Sequence, residues 1–450
     1  MVMFTNYIAT VDFRGMADMI STELDRRRFL RGTAVAGLTG AVGVSGITSG
    51  AEDGTSITAT TDFDSGGGVE IDQENGRIEL TNIDDAGYSF LGYMHFRLEG
   101  AANTDVSFNI TNLDESRMPA NYRLLYTSSL ESGDWTRMDD EVEDGFSQTF
   151  DSDEVYISGY RAYPYQQTVQ RVTELERSYP RFVETDVIGQ SANGRDMHAI
   201  RITNPAVPDE EKEDIISITR QHPGEVEGSW HMDAAIDYVL ETLCDSTVAF
   251  EDEFCFHFIP NANPDGMYEG HHRHTPQGYD LNREWNTESP VEIENMMSYM
   301  RENLDDVHWG FDFHSTTNSN WDAVVYGEDA VDDDDLDTID AIASHSLSYP
   351  DTTRSSNTDG TAYAFINDEF DAVMVVTEAW TYREYAAAEL AAEGRNFFSE
   401  VAPREDSPSG GRRSPKNTCP SGSCGEHPYP VELPSSLPWG KNFDPVEYLL

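Results

Sequence analysis

Strand-like apolar runs alternate with segments of helical period between residues 161 and 402 of this 450-residue chain. Ile215–Thr219 and Phe254–Ile259 have the composition of buried strands, whereas Ser229–Leu243 has the period of a helix. Strands and helices in turn imply an α/β layered domain. Ligands of such a domain bind at the carboxyl ends of its strands. The functional residues are therefore expected where apolar runs end.

A different pattern precedes this domain, over residues 54–160. Short runs of period two, such as Tyr93–Leu98 and Val106–Ile110, are separated by Gly, Asn and Asp turns. The pattern predicts an antiparallel β-sandwich, whose expected role is structural or substrate-positioning. Residues 403–450 are rich in Pro, Ser and Gly and are expected to form a loose surface tail.

The charge balance is strongly acidic, with 83 Asp and Glu against 29 Lys and Arg and a formal net charge of -54. Because the excess is spread along the whole chain, it suggests a solvated surface suited to high salt. We therefore predict a protein of an extreme halophile. An acidic surface repels phosphate, which excludes nucleic acid as a partner.

Residues 1–51 have the pattern of a targeting signal. Paired arginines at Arg26 and Arg27 precede a weakly apolar run rich in Gly and Ala, as in a twin-arginine export signal. The run is too short and too rich in glycine for a stable membrane span. The protein is therefore expected to be extracellular or associated with the cell surface.

The four cysteines fall in two pairs that are close in sequence. Cys244 lies near Cys255, and Cys419 lies near Cys424. Outside the cell, such pairs are expected to form two local disulfides.

Three residues that can bind a metal follow apolar runs. His222 and Glu225 come after the run that ends at Thr219, and His314 directly follows Gly310–Phe313. By itself, a His-x-x-Glu pair is more often two polar residues of a surface turn. A catalytic zinc, however, needs three nitrogen or oxygen ligands and one open position for water. His222, Glu225 and His314 together could meet that need.

Two further motifs offer groups for the hydrolysis of a peptide end. Glu378 follows the apolar run Val373–Thr377, and a carboxylate beside a zinc-bound water can take its proton. Asn282 and Arg283 lie between the metal ligands in sequence. An arginine fork with a neighbouring amide can bind a free terminal carboxylate.

The motifs stand in the order of one known family: HPGE at 222–225, NPDG at 263–266, DLNR at 280–283, DFHS at 312–315 and TE at 377–378. Together they resemble the zinc carboxypeptidase family typified by carboxypeptidase A. The preceding β-sandwich and the GRD segment at 194–196 are most similar to its cytosolic-carboxypeptidase-like group. The resemblance implies an α/β fold: a mixed-sheet zinc carboxypeptidase domain over residues 161–402, preceded by an antiparallel β-sandwich domain.

The resemblance also implies a cofactor and a mechanism. One zinc ion per chain would be bound by His222, Glu225 and His314. Glu378 would act as general base and later as general acid. The reaction would release C-terminal residues from peptides or proteins.

On the substrate side, the resemblance assigns Asn282 and Arg283 to the terminal carboxylate and Arg273 to the scissile carbonyl. The family covers its bound substrate with a loop tyrosine. The corresponding segment here has none, and Tyr363 is the candidate substitute. Deglutamylating members read an acidic side chain with an arginine, which is missing from the Gly-Thr-Ala-Tyr segment at 360–363. We therefore expect a neutral or aromatic preference.

Two alternatives use the same fold differently. A zinc amidohydrolase would act on acyl amino acids rather than on peptide ends, and a non-catalytic module would only bind peptide tails. The joint presence of His222, Glu225, His314 and Glu378 argues against the non-catalytic module.

Overall fold

The computed structural model arranges the strands of the described chain in three β-sheets. It describes residues 57–402 with gaps at 75, 84–91, 131–133, 144, 243–252, 288, 318–323, 328–330, 332, 348–351 and 356–358. The predicted export signal at residues 1–51 and the predicted tail at 403–450 lie outside the described residues. None of the helices in the described part of the chain has the length and apolar character that crossing a bilayer requires.

Two of the sheets form the N-terminal part of the described chain. Their strands are β1 (Thr58–Thr60), β2 (Val69–Glu74), β3 (Arg77–Asn82), β4 (His95–Glu99), β5 (Thr104–Ile110), β6 (Leu125–Thr127), β7 (Thr136–Arg137), β8 (Phe146–Phe150) and β9 (Val155–Ser158). One sheet has the order β1-β4-β9-β6-β7 and the other β2-β3-β5-β8. Every neighbouring pair is antiparallel except β3 with β5, which is parallel.

Alternating burial explains why these two sheets pack together. Along β3 every second residue is buried, and β5 repeats the pattern. The buried faces of both sheets contribute to one apolar cluster that includes Leu80, Phe96 and Phe108. The predicted β-sandwich is confirmed, with one parallel pair in place of full antiparallel pairing.

The third sheet is mixed and has eight strands: β10 (Val183–Gln190), β11 (Asp196–Ile202), β12 (Glu213–Thr219), β13 (Phe254–Ile259), β14 (Val307–Thr316), β15 (Val324–Gly327), β16 (Thr352–Ser355) and β17 (Met374–Trp380). Their order is β10-β11-β13-β12-β14-β17-β15-β16. The central strands β13, β12, β14 and β17 are mutually parallel. Their carboxyl ends therefore meet at one edge of the sheet.

Helices cover both faces of this sheet: α1 (Tyr165–Ser178), α2 (Glu227–Thr242), α3 (Pro264–Glu269), α4 (Val291–Asn303), α5 (Asp333–Ser344), α6 (Ala362–Phe370) and α7 (Ala387–Val401). Alternate residues of β12 show the two faces. Ile215 belongs to the apolar cluster that holds α2 and α7, whereas Ile216 and Ile218 belong to the cluster that holds α4 and α6. The predicted mixed α/β architecture is confirmed.

The strand β17 continues directly into the sandwich. Beyond its end, Tyr382 is buried in the apolar cluster of the sandwich, and Trp380 packs against the same cluster. The Tyr382 hydroxyl donates to the Gly92 carbonyl over 3.1 Å, and its ring lies edge-on to Tyr122. The two sandwich sheets and the eight-stranded sheet are therefore joined by a shared core.

One predicted disulfide is wrong. Cys255 of β13 is a free, buried thiol. Its sulfur lies 3.2 Å from Nη2 of Arg201, on the neighbouring strand β11. The proposed partner Cys244, as well as Cys419 and Cys424, lies outside the described residues.

Candidate metal centre

The structure brings the three predicted metal ligands together. Nδ1 of His222 lies 2.9 Å from Oε1 of Glu225, and Nδ1 of His314 lies 2.6 Å from Oε2 of the same carboxylate. The two Nδ1 atoms are 3.1 Å apart. One potential ligand atom from each residue lies within 4.8 Å of the others, and all three residues are buried. The three side chains therefore converge on one point.

The backbone around the end of β12 places two of these ligands. Arg220 follows the strand with φ at 63°, and its buried Nε donates to the Pro223 carbonyl over 2.9 Å. The Glu225 amide donates to the His222 carbonyl over 3.2 Å. The result is a tight turn between β12 and α2 that holds His222 and Glu225 on the same side. His314 is supplied by β14, the next strand of the sheet.

Each histidine is oriented by a second carboxylate. Nε2 of His222 lies 3.0 Å from Oδ1 of Asp280, and Nε2 of His314 lies 2.9 Å from Oδ2 of Asp312. A carboxylate on Nε2 fixes the proton there and leaves the Nδ1 lone pair free for a metal. Burial works against charge on Asp280, but His222 and two arginines hold the pKa of this carboxyl below its usual range.

A chain of hydrogen bonds extends behind His314. The Gln221 side-chain amide donates to Asp312 over 2.6 Å, and the Trp285 indole donates to Gln221 over 2.7 Å. Burial opposes charge on His314, yet Asp312 and Glu225 raise the pKa of this imidazole well above its usual range. The carboxylates around His314 therefore favour a positive charge at the centre of the cluster.

Glu378 faces the cluster from β17. The structure pairs it in register with His314 on the neighbouring parallel strand. Burial raises the pKa of Glu378 to about 8, and the Glu225 carboxylate adds to the effect. Within the described part of the chain, Oε2 of Glu378 is buried without a hydrogen-bond partner.

The donor set fits zinc. Two imidazole nitrogens and a carboxylate, with an open position beside a further acid, are the ligands of a catalytic zinc site. The three donor atoms lie close enough together for one zinc ion to be bound by all of them. A cation there would also neutralise the charge that Glu225 and Glu378 bring together.

Two of the predicted site residues reach the cluster: Asn282, expected to bind the substrate carboxylate, and Arg273, expected to polarise the scissile carbonyl. The Asn282 amide nitrogen lies 3.4 Å from Nε2 of His314, and its oxygen accepts the Ala362 amide over 3.1 Å. Nη1 of Arg273 lies 3.5 Å from Nδ1 of His222, and its Nε donates to Asp280 over 2.8 Å. Asn282 therefore lies beside His314, and Arg273 lies beside His222.

The other two predicted residues, Arg283 and Tyr363, have different surroundings. Arg283 is exposed, and its guanidinium donates to the Asn282 carbonyl over 2.5 Å. Tyr363 stands in the first turn of α6 and is 6% exposed, within the apolar cluster that also holds Trp285. Its assignment as the substitute for the loop tyrosine stays a prediction.

The sequence reasoning missed the residues that orient the histidines. Asp312 precedes His314 by two positions in one strand, and such residues share a face of a sheet, so this pairing could have been predicted. Asp280 and Gln221 have no such signal. Asp280 reaches His222 across 58 positions of the chain.

A parallel sheet edge that presents two imidazoles, a carboxylate and a further, partly buried acid has the donor set of a metal-dependent hydrolase. Residues 168–399 match the family model described as zinc carboxypeptidase, and residues 59–160 match the cytosolic carboxypeptidase N-terminal domain. The chain therefore belongs to the zinc carboxypeptidase family of peptide hydrolases. The resemblance seen in the sequence and the predicted enzyme class are confirmed, and zinc is the metal that the family implies.

Relatives of the chain agree with this family. An uncharacterized protein of Zymomonas mobilis is 27% identical over 227 residues, which are 50% of this chain and 58% of that protein. Cytosolic carboxypeptidase 6 of Caenorhabditis elegans is 32% identical over 179 residues, 39% of this chain and 37% of that protein. The chain thus aligns with less than two thirds of the length of either relative.

Solved structures show the same fold. The metallo-carboxypeptidase of Burkholderia cenocepacia has a TM-score of 0.65 at 19% identity and covers 77% of this chain and 98% of its own. The metallo-carboxypeptidase of Pseudomonas aeruginosa, in complex with (2-guanidinoethylmercapto)succinic acid, has a TM-score of 0.61 at 20% identity. The match covers 76% of this chain and 98% of that chain.

The predicted export is wrong. The N-terminal family match is to the cytosolic carboxypeptidases, and several relatives carry that name. These findings stand against the predicted export, in spite of the paired arginines at Arg26 and Arg27. A basic pair before a weakly apolar run is a short pattern that also arises without a targeting role.

Proposed function

We propose that the protein is a zinc-dependent metallocarboxypeptidase that hydrolyses the C-terminal residue from peptides or proteins, with one zinc ion per chain. The convergence of His222, Glu225 and His314 beside the partly buried acid Glu378 carries the proposal. Zinc, when bound, supplies Lewis-acid activation of water and of the scissile carbonyl. The remaining chemistry belongs to side chains of this protein.

Glu378 moves the proton. Its carboxylate takes a proton from the attacking water while the oxygen–carbon bond forms, and it returns that proton to the leaving amine while the carbon–nitrogen bond breaks. Burial keeps the proton affinity of Glu378 high, which suits both steps. Arg273 donates to the carbonyl oxygen as negative charge develops on it. The Asp280 contact holds this guanidinium at the cluster.

Asn282 and Arg283 bind the free carboxylate of the substrate. The Asn282 oxygen is already engaged by α6, so its amide nitrogen is left to donate to the substrate. Arg283 is exposed at the rim, where a planar fork suits a carboxylate. The absence of arginine from the segment 360–363 supports a neutral or aromatic side-chain preference, with Tyr363 close to the bound residue.

The test uses the full chain loaded with zinc in molar KCl, with a library of N-terminally blocked peptides that carry free or amidated C-termini. Mass spectrometry should record the loss of single C-terminal residues from free ends only. Glu378→Gln should lower kcat at least about 1,000-fold and keep zinc bound.

Each alternative has its own outcome in the same assay. Hydrolysis of acyl amino acids without release from peptides would favour an amidohydrolase. Tight peptide binding without hydrolysis would favour a non-catalytic module. Fastest release of C-terminal glutamate would contradict the neutral or aromatic preference.

We also propose that the protein is adapted to high salt, on the strength of its formal net charge of -54. In molar salt the Debye length falls to about 3 Å, so the self-repulsion of such a surface is screened. The midpoint of thermal unfolding should rise between 0.1 and 3 M KCl. A higher midpoint in dilute buffer would contradict the proposal.

A further inference from the structure

We infer that Glu227 is a positioning residue, which fixes the spacing between the metal ligands and the proposed general base. Glu227 is the first residue of α2 and is 4% exposed. Its Oε2 accepts from the Ser315 hydroxyl over 2.8 Å and from the Thr381 hydroxyl over 3.4 Å. The part of the inference that concerns Glu378 as general base rests on the proposed function. The part that concerns the position of the metal ligands does not require hydrolysis.

These contacts join the three elements that carry the site. Glu227 begins the helix that follows Glu225, Ser315 follows His314 in β14, and Thr381 directly follows β17. The two hydroxyls lie 3.3 Å apart, and the Thr381 amide donates to the Thr316 carbonyl over 2.9 Å. One carboxylate oxygen thus ties the start of α2 to the ends of both site strands.

Ser315 extends this link to the metal ligand itself. Its backbone amide lies 3.3 Å from Oε2 of Glu225, while its hydroxyl is held by Glu227. Displacement of Ser315 would therefore move both His314, its chain neighbour, and the carboxylate of Glu225. Thr381 is three positions beyond Glu378, so its displacement would act mainly on the base.

Packing alone does not account for a carboxylate at this place. Within the described part of the chain, the side-chain hydrogen bonds of Glu227 go to neutral hydroxyls. The guanidinium of Arg220, which lies in the same region, donates instead to the Pro223 and Tyr163 carbonyls and to the Ser229 hydroxyl. Burial of a carboxylate without a hydrogen-bonded cation destabilises the folded state. An apolar residue of similar volume would fill this place with a smaller loss of stability.

The experiment compares four test variants and one control variant in the full chain. Glu227→Leu removes the acceptor, and Glu227→Gln keeps one oxygen that can accept from both hydroxyls. Ser315→Ala and Thr381→Val each cut one of the two links. Glu241→Leu is the matched control, since Glu241 is exposed near the end of the same helix and pairs with Arg395.

Two measurements are made on each variant: the zinc dissociation constant by competition with a chelator, and kcat and KM on a peptide with a free C-terminus. Glu227→Leu should weaken zinc binding about 10- to 100-fold and lower kcat with KM unchanged. Ser315→Ala should weaken zinc binding, whereas Thr381→Val should lower kcat and leave zinc binding unchanged. Glu227→Gln and Glu241→Leu should resemble the wild type.

The inference is overturned if folded Glu227→Leu binds zinc as tightly as the wild type, or if Glu227→Gln is as impaired as Glu227→Leu. If Glu227→Leu does not fold, the inference is tested by the difference in zinc affinity between Ser315→Ala and Thr381→Val. Equal effects of these two variants on zinc binding overturn the inference. A wild type that binds zinc but releases no C-terminal residue refutes the proposed function alone, because the zinc constants still test the position of the ligands.

Discussion

His314 and Glu378 are register partners on the neighbouring parallel strands β14 and β17. Adjacent strands lie about 4.8 Å apart, so the sheet itself sets the separation between a proposed metal ligand and the acid that faces it. Loops that differ in length or sequence cannot change this spacing. The spacing of these two residues thus comes from the central sheet of the domain.

Asp280→Asn should weaken zinc binding about 10- to 100-fold, because the carboxylate both orients His222 and holds Arg273. The zinc dissociation constant is the measurement, taken by competition with a chelator. Asp209→Asn is the matched control, since Asp209 pairs with Arg201 away from the metal ligands. Equal zinc affinity in Asp280→Asn and the wild type would contradict the proposed orienting role.

Arg283→Met should raise KM for peptides with a free C-terminus about 10- to 100-fold, since a hydrogen bond to a charged group is worth about 1.5–3 kcal/mol. Binding of the matching C-terminal amides should not change. Arg301→Met serves as control, because Arg301 pairs with Glu369 on the surface. A similar loss for both arginines would refute a specific contact with the substrate carboxylate.

Gly360→Ala should damage substrate binding through the backbone. Gly360 has φ at +75°, and an added Cβ would lie 2.2 Å from the Arg283 carbonyl oxygen. Gly76→Ala is a close control, since φ is +78° and no atom lies within 4 Å of the added Cβ. We expect Gly76→Ala to cost only about 1–2 kcal/mol of stability, whereas Gly360→Ala should also raise KM. Equal KM values in the two variants would contradict this reading of the contact.

His95 should make the protein less stable in acid. Burial lowers the pKa of His95 to about 3, and Nε2 is buried without a hydrogen-bond partner in the described structure. The unfolded chain takes up this proton near pH 6.5, so the stabilisation is complete above pH 6.5 and is lost as the pH falls towards 3. The slope is about 1.4 kcal/mol per pH unit within that window.

His95→Gln should flatten this dependence, measured by denaturant unfolding between pH 4.5 and 7 at constant molar KCl. His308→Gln should not flatten it, because the His308 side chain is 38% exposed and already meets solvent. An unchanged slope in His95→Gln would show that other groups cause the loss of stability in acid.

The strands and the meeting of the candidate ligands could be predicted because each candidate ligand follows an apolar run. The structure nevertheless extends the runs: β14 continues to Thr316 and β17 to Trp380, so His314 and Glu378 lie inside their strands. Hydrophobicity ends at Phe313 and Thr377, whereas pairing between the two backbones continues beyond them. The register between β14 and β17 cannot be read from either segment alone.

The surroundings of Tyr363 and Asp280 could not be predicted, since long-range packing decides them. Tyr363 falls in the segment where the substitute for the loop tyrosine was expected, but the first turn of α6 packs against the core and buries its ring. The contact of Asp280 with His222 depends on how the chain returns to the sheet edge after β13. Sequence patterns specify elements and their ends, but not the path of a loop between them.

The burial of Tyr382 in the sandwich has an evolutionary consequence. Because the chain just beyond the strand that carries Glu378 is buried in the core of the other domain, we expect the two domains to be inherited together. A gene fragment that begins after residue 160 would encode a hydrolase domain in which Tyr382 and Trp380 have lost the apolar surface that covers them. We therefore expect recombination at the boundary between the two domains to be disfavoured.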